Sequence, residues 1–424
     1  MRIILSFLCL VLIPGVVAWG AERQPPLQLQ DGDRVAFVGS ALLEREQVGG
    51  YIETMLITAF PDKNVTFRNL AYSGDTVAGD ARGLCTGWST FESADQGFNR
   101  LRKITAEVQP TVLIVNYGMN ESFAGPAGVE GFIAGYNRMI DMLTSAARGK
   151  DGKGSVPRQV VLLSPNYHED LGRPLPDPTD HNRNLELYSK AIADLAAKRG
   201  YMFVDLYTIT RDAGRAAPLT SNGIHLTPFG YWRTAIALEK AMGLPTHHWS
   251  VSIDAHSGQS QAEGTSVSDV KANTSGLEME CADELLPIPS VPENSPSAAI
   301  PEAQRVLKVT GLAPGNYELK AGDQVMAHGT ADQWVAGVHI SGGPMEKQVE
   351  QLRSLVIQKN FDFFNYWRPE NDSYILSFRK HEQGKLAVEL PEFKPVAKAK
   401  EDEIARLRKP VPVKYGLRQV AEGH

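Results

Sequence analysis

The sequence predicts an α/β fold, a parallel sheet covered by helices on both faces, followed by a small β-rich unit and a mixed C-terminal tail. Three observations predict it. Between residues 30 and 245, five short apolar runs alternate with stretches of helical periodicity, the pattern of right-handed βαβ crossovers. Beyond Leu244 the helical spacing gives way to Ser, Thr and short alternating apolar runs. From Gly343 helical spacing returns around an aromatic segment.

Residues 34–38 (RVAFV) read as the first strand and stop at Gly39-Ser40, after which residues 44–59 carry Val48, Ile52, Met55, Leu56 and Ala59 at helical spacing. Residues 65–70 form the second strand and run into Tyr72-Ser73-Gly74-Asp75-Thr76. A helix over 98–108 leads to the most apolar strand candidate, 111–117 (TVLIVNY), which ends at Gly118-Met119-Asn120-Glu121. An amphipathic helix over 127–147 precedes a buried strand at 159–164 (QVVLLS) and a polar, proline-rich insertion at 166–182. A helix over 185–198, a fifth strand at 201–206 (YMFVDL) and a last helix over 229–242 complete this unit, with His225 just before that helix.

A small β domain is expected over 248–342, with strands at 251–253, 277–281, 305–309 and 316–319, a turn at Ala313-Pro314-Gly315, and a Pro/Ser-rich loop at 286–301. The region 343–424 is read as a mixed aromatic and helical tail. It holds a helix over 346–359, the segment FDFFNYWRPENDSYILSFRK and a charged helix around 398–408, and it can pack back on the first unit.

Residues 1–18 read as a signal peptide. Arg2 precedes a largely apolar run, and Val16-Val17-Ala18 offers small residues for cleavage. That run falls short of the ~20 residues a membrane span requires, so the expectation is export to a periplasmic or extracellular space, with no integral span in the mature chain. The chain has 43 basic and 49 acidic residues, a net charge of −6, and cleavage removes one more positive charge with Arg2. This balance argues against nucleic acid or an anionic membrane as partner. Cys85 and Cys281 would remain after cleavage and permit one disulfide without requiring it. No C-x-x-C or histidine cluster has metal-ligand spacing, so neither a metal nor another cofactor is expected.

In a parallel α/β sheet the ligand site lies beyond the carboxyl ends of the strands. Gly39-Ser40, Ser73-Gly74, Gly118 to Glu121 and the stretch SNGIHLTPFGY around His225 all fall there. An imidazole ahead of a proline-started helix is suited to proton transfer near neutral pH.

These four stretches resemble the SGNH, or GDSL-type, hydrolase family, over about residues 30–245. Gly118-Met119-Asn120-Glu121 resembles the family's G-x-N-D/E block, Asn222-Gly223-Ile224-His225 its D-G-x-H block, and Ser73-Gly74 its second block. The resemblance implies a flavodoxin-like, three-layer α/β/α domain. It also implies an oxyanion hole from the Gly74 N–H and the Asn120 amide, with His225 as general base. Two positions depart from the pattern. Where the family has G-D-S this chain has Gly39-Ser40-Ala41, so Ala41 stands at the nucleophile position and Ser40 is the nearest hydroxyl. Asn222 stands where the family has aspartate, and an amide can orient an imidazole but cannot neutralise its cation.

Two functions follow. One is an exported esterase that cleaves a carboxylic ester, such as an O-acetyl group on a small molecule or polysaccharide, through a serine acyl-enzyme with Ser40, His225 and Asn222 as catalytic group. The other is a catalytically degenerate domain that binds a glycan or ester-bearing ligand. Other signals have plainer readings. The insertion, with His168, Glu169, Asp170 and His181, reads as a solvated lid over the cleft. Asp205 reads as a helix cap, and Trp367 to Asn371 as a packing seam between tail and core, with stacking on sugar rings as its alternative. Cys85 and Trp88 could line the pocket mouth.

Overall fold

The computed structural model describes residues 25–82, 94–154, 156–296, 305–376 and 379–421. The expected signal peptide, Cys85, Trp88 and part of the Pro/Ser-rich loop lie outside the described residues. The first unit is a parallel sheet of five strands, β1 (Arg34–Gly39), β2 (Thr66–Asn69), β3 (Val112–Asn116), β4 (Gln159–Leu163) and β5 (Met202–Val204), in the order β2-β1-β3-β4-β5. That order is the flavodoxin-like one, and its switch point lies between β1 and β3. Period-two alternation in β1 sends Val35 and Phe37 into one core and Ala36 and Val38 into the other.

The first core is covered by α1 (Ala41–Gly49), α2 (Tyr51–Thr58) and α7 (Pro228–Ala241), through Leu43, Ile52, Met55, Phe229 and Trp232. The second is covered by α3 (Ala94–Val108), α4 (Val129–Ala146) and α5 (Thr179–Arg199), through Leu101, Tyr136, Met139, Tyr188 and Ile192. This is the three-layer α/β/α arrangement. The sequence reading differs at two elements. The single helix expected over 44–59 is two helices, because Gly50 takes a left-handed φ of 65° and ends α1 as it starts α2. A further helix, α6 (Leu206–Gly214), follows β5, with Asp205 as its N-cap accepting from the Thr208 N–H.

Two more sheets follow. One has the order β13-β10-β6-β7 and the other β12-β11-β14-β9-β8. Their strands are β6 (Trp249–Asp254), β7 (Ser260–Glu263), β8 (Thr265–Asn273), β9 (Gly276–Asp283), β10 (Arg305–Thr310), β11 (Asn316–Ala321), β12 (Gln324–Thr330), β13 (Val338–His339) and β14 (Val413–Val420), with α8 (Ala331–Ala336) between β12 and β13. The expected border at 342 is crossed, because β14 from the tail sits between β9 and β11, paired antiparallel with both. Buried side chains of these sheets, such as Leu307, Leu319 and Leu417, are continuous with the first core of the α/β unit.

The tail reaches back between the two. Its long helix α9 (Gly343–Trp367) takes in the front of the aromatic segment, followed by the short turns α10 (Asp372–Ile375) and α11 (Lys380–Gln383) and by α12 (Phe393–Leu407). Helix α9 packs on α1, α2, β2 and α12. Its fixing point is a buried ion pair: Lys359 Nζ donates to Glu53 Oε1 at 2.6 Å and to the Phe67 carbonyl at 3.1 Å, while the Asn360 amide donates to Glu53 Oε2 at 2.9 Å. Burial holds the Lys359 ammonium below its ordinary range, and the Glu53 carboxylate opposes that shift. Removing one partner strands the other in the core. Lys359→Ala is expected to lower unfolding free energy by ~3–5 kcal/mol, measured by denaturant titration, whereas Lys359→Met with Glu53→Leu should recover most of it. No helix among the described residues is long and apolar enough to cross a membrane.

Candidate active site

The strand ends bring four loops together. Ser40 is buried at the N-cap of α1, and its N–H donates to the Asn116 carbonyl at 3.1 Å, which ties it to the neighbouring strand β3. Asn120 follows β3, and its Nδ2 donates to Ser40 Oγ at 3.2 Å and to the Asp75 carbonyl at 2.9 Å. The structure therefore brings together three loops named by the sequence: the Ser40 turn, the Gly74-Asp75 turn and the Asn120 block. Gly74 is exposed, and among the described residues no protein acceptor takes its N–H. An unclaimed N–H on a turn that a side-chain amide also reaches, at the neighbouring Asp75 carbonyl, is the kind of donor set a developing oxyanion requires.

Groups to which the sequence reading gave no role of their own hold this arrangement. Glu121 accepts from the Val77 N–H at 2.8 Å through Oε1 and from the Gly118 N–H at 2.9 Å through Oε2, stapling the second and third loops. Burial pushes its carboxyl up to about 7 against those backbone donors. Beneath it, buried Asp75 accepts from the Tyr117 hydroxyl at 3.0 Å and pairs with buried Arg82. The Gly118 contact lies within the block the sequence names, but the Val77 and Tyr117 contacts span 44 and 42 residues, and no local pattern announces those.

His225 sits on a tight turn. The Asn222 Oδ1 accepts from the Ile224 N–H at 3.2 Å and the His225 N–H at 2.9 Å, so its Nδ2 faces His225 Nδ1 at 3.1 Å. Two backbone donors fix which end of the amide is oxygen. The amide must then donate to Nδ1, which places the imidazole proton on Nε2. That is the tautomer opposite to the one a general base needs. Burial and the Arg45 charge hold the His225 pKa below its ordinary value, so the ring is neutral near pH 7. The described residues show no hydrogen bond between His225 and Ser40.

The insertion at 166–182 is solvated only in its middle: residues 170–177 are exposed or half-buried, as its prolines suggest, whereas its two ends are buried in the protein. Asn166, His168 and Glu169 are buried and form the seat of the His225 turn. The Asn166 amide donates to the Ile224 carbonyl at 3.0 Å, and the Glu169 N–H to the Gly223 carbonyl at 2.8 Å. The Glu169 carboxylate takes the Leu219 N–H at 2.8 Å, the Thr220 N–H at 2.7 Å and the Thr220 hydroxyl at 2.5 Å. Gly223 has φ 90°, and a Cβ there would lie 2.8 Å from the His168 ring. The correction has a simple cause: a carboxylate can anchor irregular backbone without any secondary structure of its own. Glu169→Ala is expected to cost ~2–4 kcal/mol by leaving buried N–H groups unpaired, read as a loss of thermal stability and faster hydrogen exchange over 219–225.

The two insertion histidines also pair. His168 Nδ1 lies 2.9 Å from His181 Nδ1, His181 Nε2 lies 2.8 Å from Ser122 Oγ, and Phe123 stacks on His181 at 3.9 Å. Burial, and after it the neighbouring His168, holds the His181 pKa at about 4, and burial lowers that of His168 against the Asp170 charge. Both are neutral structural links between the Asn120 and His225 loops. Among the described residues, no group of three or more His, Cys, Asp and Glu side chains is disposed to hold a metal ion.

A flavodoxin-ordered sheet with a serine, a glycine, an asparagine and a histidine on successive loops beyond its strand ends defines the SGNH class. Residues 36–233 match the GDSL-like Lipase/Acylhydrolase family, and this part of the chain is an SGNH/GDSL-type domain. No curated protein matches the chain. Among solved structures, the chain is similar to BT4096, described as a gut microbial diltiazem-metabolizing enzyme, at 18% identity and a TM-score of 0.72, covering 94% of this chain and 100% of that one. That likeness shows the fold over nearly the whole length, β sheets and tail included. Two others match about half of the chain: Axe2, an acetylxylan esterase from Geobacillus stearothermophilus (14% identity, TM-score 0.38, 52% of this chain and 98% of that one), and LAE5, an alpha/beta hydrolase enzyme from the metagenome of Lake Arreo, Spain (16%, 0.36, 51% and 97%).

Proposed function

We propose that the SGNH domain hydrolyses a carboxylic ester through an acyl-enzyme. Ser40 Oγ attacks the ester carbonyl, and its proton passes to His225 Nε2 and then to the leaving alcohol. Water, deprotonated by the same nitrogen, releases the acid. The Gly74 N–H and the Asn120 amide receive the oxyanion, Asn120 giving up its contact with Ser40 Oγ to do so. The observation that carries this reading is Asn120 Nδ2 at 3.2 Å from Ser40 Oγ and one loop from Gly74, so that hydroxyl and oxyanion donors converge. For the proton transfer, His225 takes the tautomer with its proton on Nδ1, which the Asn222 amide opposes, so turnover is slow. Export through residues 1–18, in a periplasmic or extracellular setting, and an O-acetylated carbohydrate as substrate belong to the same proposal. N-terminal sequencing of the mature protein and release of acetate from acetylated oligosaccharides test them.

A second reading is favoured by that tautomer and by Ala41: a degenerate site that binds a glycan or ester without cleaving it. Calorimetry with a glycan panel separates the two. Binding without acetate release supports the second, and acetate release supports the first.

A further inference from the structure

The tail ends its long helix next to the oxyanion turn. Arg368, directly after α9, sits over the Tyr72 ring with its guanidinium carbon 3.2 Å from the ring centroid, and it is 5.3 Å from the Phe364 ring. Its Nη1 reaches Glu44 Oε1 at 3.4 Å. The other oxygen of Glu44, Oε2, accepts from the Ser73 hydroxyl at 2.7 Å. Ser73 immediately precedes Gly74, and the Glu44 N–H donates to the Ser40 carbonyl at 3.1 Å. Arg368 and Glu44 side chains are both 16% exposed, sheltered enough for the pair to act with limited screening. A guanidinium is the group for this place, since one plane both stacks on an aromatic face and donates to a carboxylate.

We propose that Arg368, Glu44 and Ser73 form a positioning unit through which the C-terminal region sets the Ser73-Gly74 turn, and with it the Gly74 oxyanion donor. The α/β domain therefore depends on the tail for its active geometry. The reading rests on the esterase proposal for its kinetic consequence, but its structural consequence stands apart from that proposal.

The test uses the full chain and five variants, Arg368→Ala, Arg368→Lys, Ser73→Ala, Glu44→Gln and the double variant Arg368→Ala with Glu44→Gln, with p-nitrophenyl acetate as substrate and hydrogen exchange over 70–76 as the second readout. For Arg368→Ala and Ser73→Ala the expected result is a fall in kcat of about 10-fold or more with KM within about twofold, because a displaced oxyanion donor weakens the transition state and not the ground state. Arg368→Lys should recover part of kcat, keeping the charge toward Glu44 and losing the stacked plane. Adding Glu44→Gln to Arg368→Ala should cost little more than Arg368→Ala alone, as members of one unit are not additive. Exchange at 70–76 should accelerate in Arg368→Ala while the helices of the sheet keep wild-type protection, which separates a local effect from unfolding. Unchanged exchange at 70–76 would overturn the proposal, as would unchanged kcat in an active wild type, or losses that add fully. If the wild type cleaves no ester, the esterase proposal fails alone and the exchange result still decides this one.

Discussion

Asn222→Asp is expected to raise kcat by about 10²–10⁴-fold, the reverse of the ~10⁴ loss that an Asp to Asn change at the corresponding role causes in a serine protease. The geometry explains why the gain should come without structural cost. In this variant one carboxylate oxygen keeps the place of Oδ1 on the Ile224 and His225 N–H groups, and the second replaces the Nδ2 that faces His225 Nδ1 at 3.1 Å. An acceptor there calls the ring proton to Nδ1 and frees Nε2 as base. The pH dependence follows with a definite sign. Base catalysis needs neutral imidazole, so activity falls as pH drops through the His225 pKa, which burial and Arg45 hold below the ordinary value. A carboxylate at position 222 favours the imidazolium and moves that acid limb to higher pH. A kcat/KM profile from acid to mildly alkaline pH for both proteins checks gain and shift together. No gain together with an unmoved acid limb would mean that His225 is not the base.

Ser40→Ala and His225→Ala are each expected to remove nearly all ester cleavage, by about 10³-fold or more, with the double variant no worse than either single one. Non-additivity is the useful part, because two residues acting in one proton transfer fail as a unit. The Ser40 hydroxyl is held by a side-chain hydrogen bond from Asn120, so its loss strands one amide proton and should leave stability within about 1 kcal/mol of wild type. Circular dichroism melts alongside the kinetics separate lost chemistry from lost structure.

How far the molecule could be read from its sequence depends on what each element rests on. The strands β1 to β4 were legible because buried parallel strands are continuous apolar runs, and the site loops because they follow those runs. The break at Gly50 was not, since the apolar spacing of 44–59 continues across it and only a left-handed φ marks the joint. Strand β7 is exposed along its whole length and β8 is exposed or half-buried beyond Thr265, so they carry no clean alternation to detect. The tail strand β14 is placed by pairing with β9 and β11, far outside any local window of sequence. The same holds at the site. Ser40, Gly74, Asn120, Asn222 and His225 were named by motif, and Glu121 stood in the same block without a role, whereas Asp75, Arg82 and Glu169 act through partners set by tertiary structure. The solvated reading of the insertion holds for residues 170–177 and fails at its buried ends, because proline excludes helix and strand and that exclusion says nothing about burial.

The departure at Ala41 gains a physical setting as well. Ser40 occupies the helix N-cap, where its hydroxyl turns toward Asn120, while the next residue begins α1. The chain therefore keeps a hydroxyl against the Asn120 loop although the expected serine position is alanine. Ser73, whose hydroxyl donates to Glu44 at 2.7 Å, is another hydroxyl, on the turn next to Gly74.

The most direct test of the central claim is fluorophosphonate labelling of the purified mature protein, followed by peptide mass mapping. The probe reports an activated serine without requiring the natural substrate. Modification at Ser40 that is abolished in His225→Ala is the predicted result. Modification at Ser73, or none at any serine, would contradict the assignment of Ser40 as nucleophile.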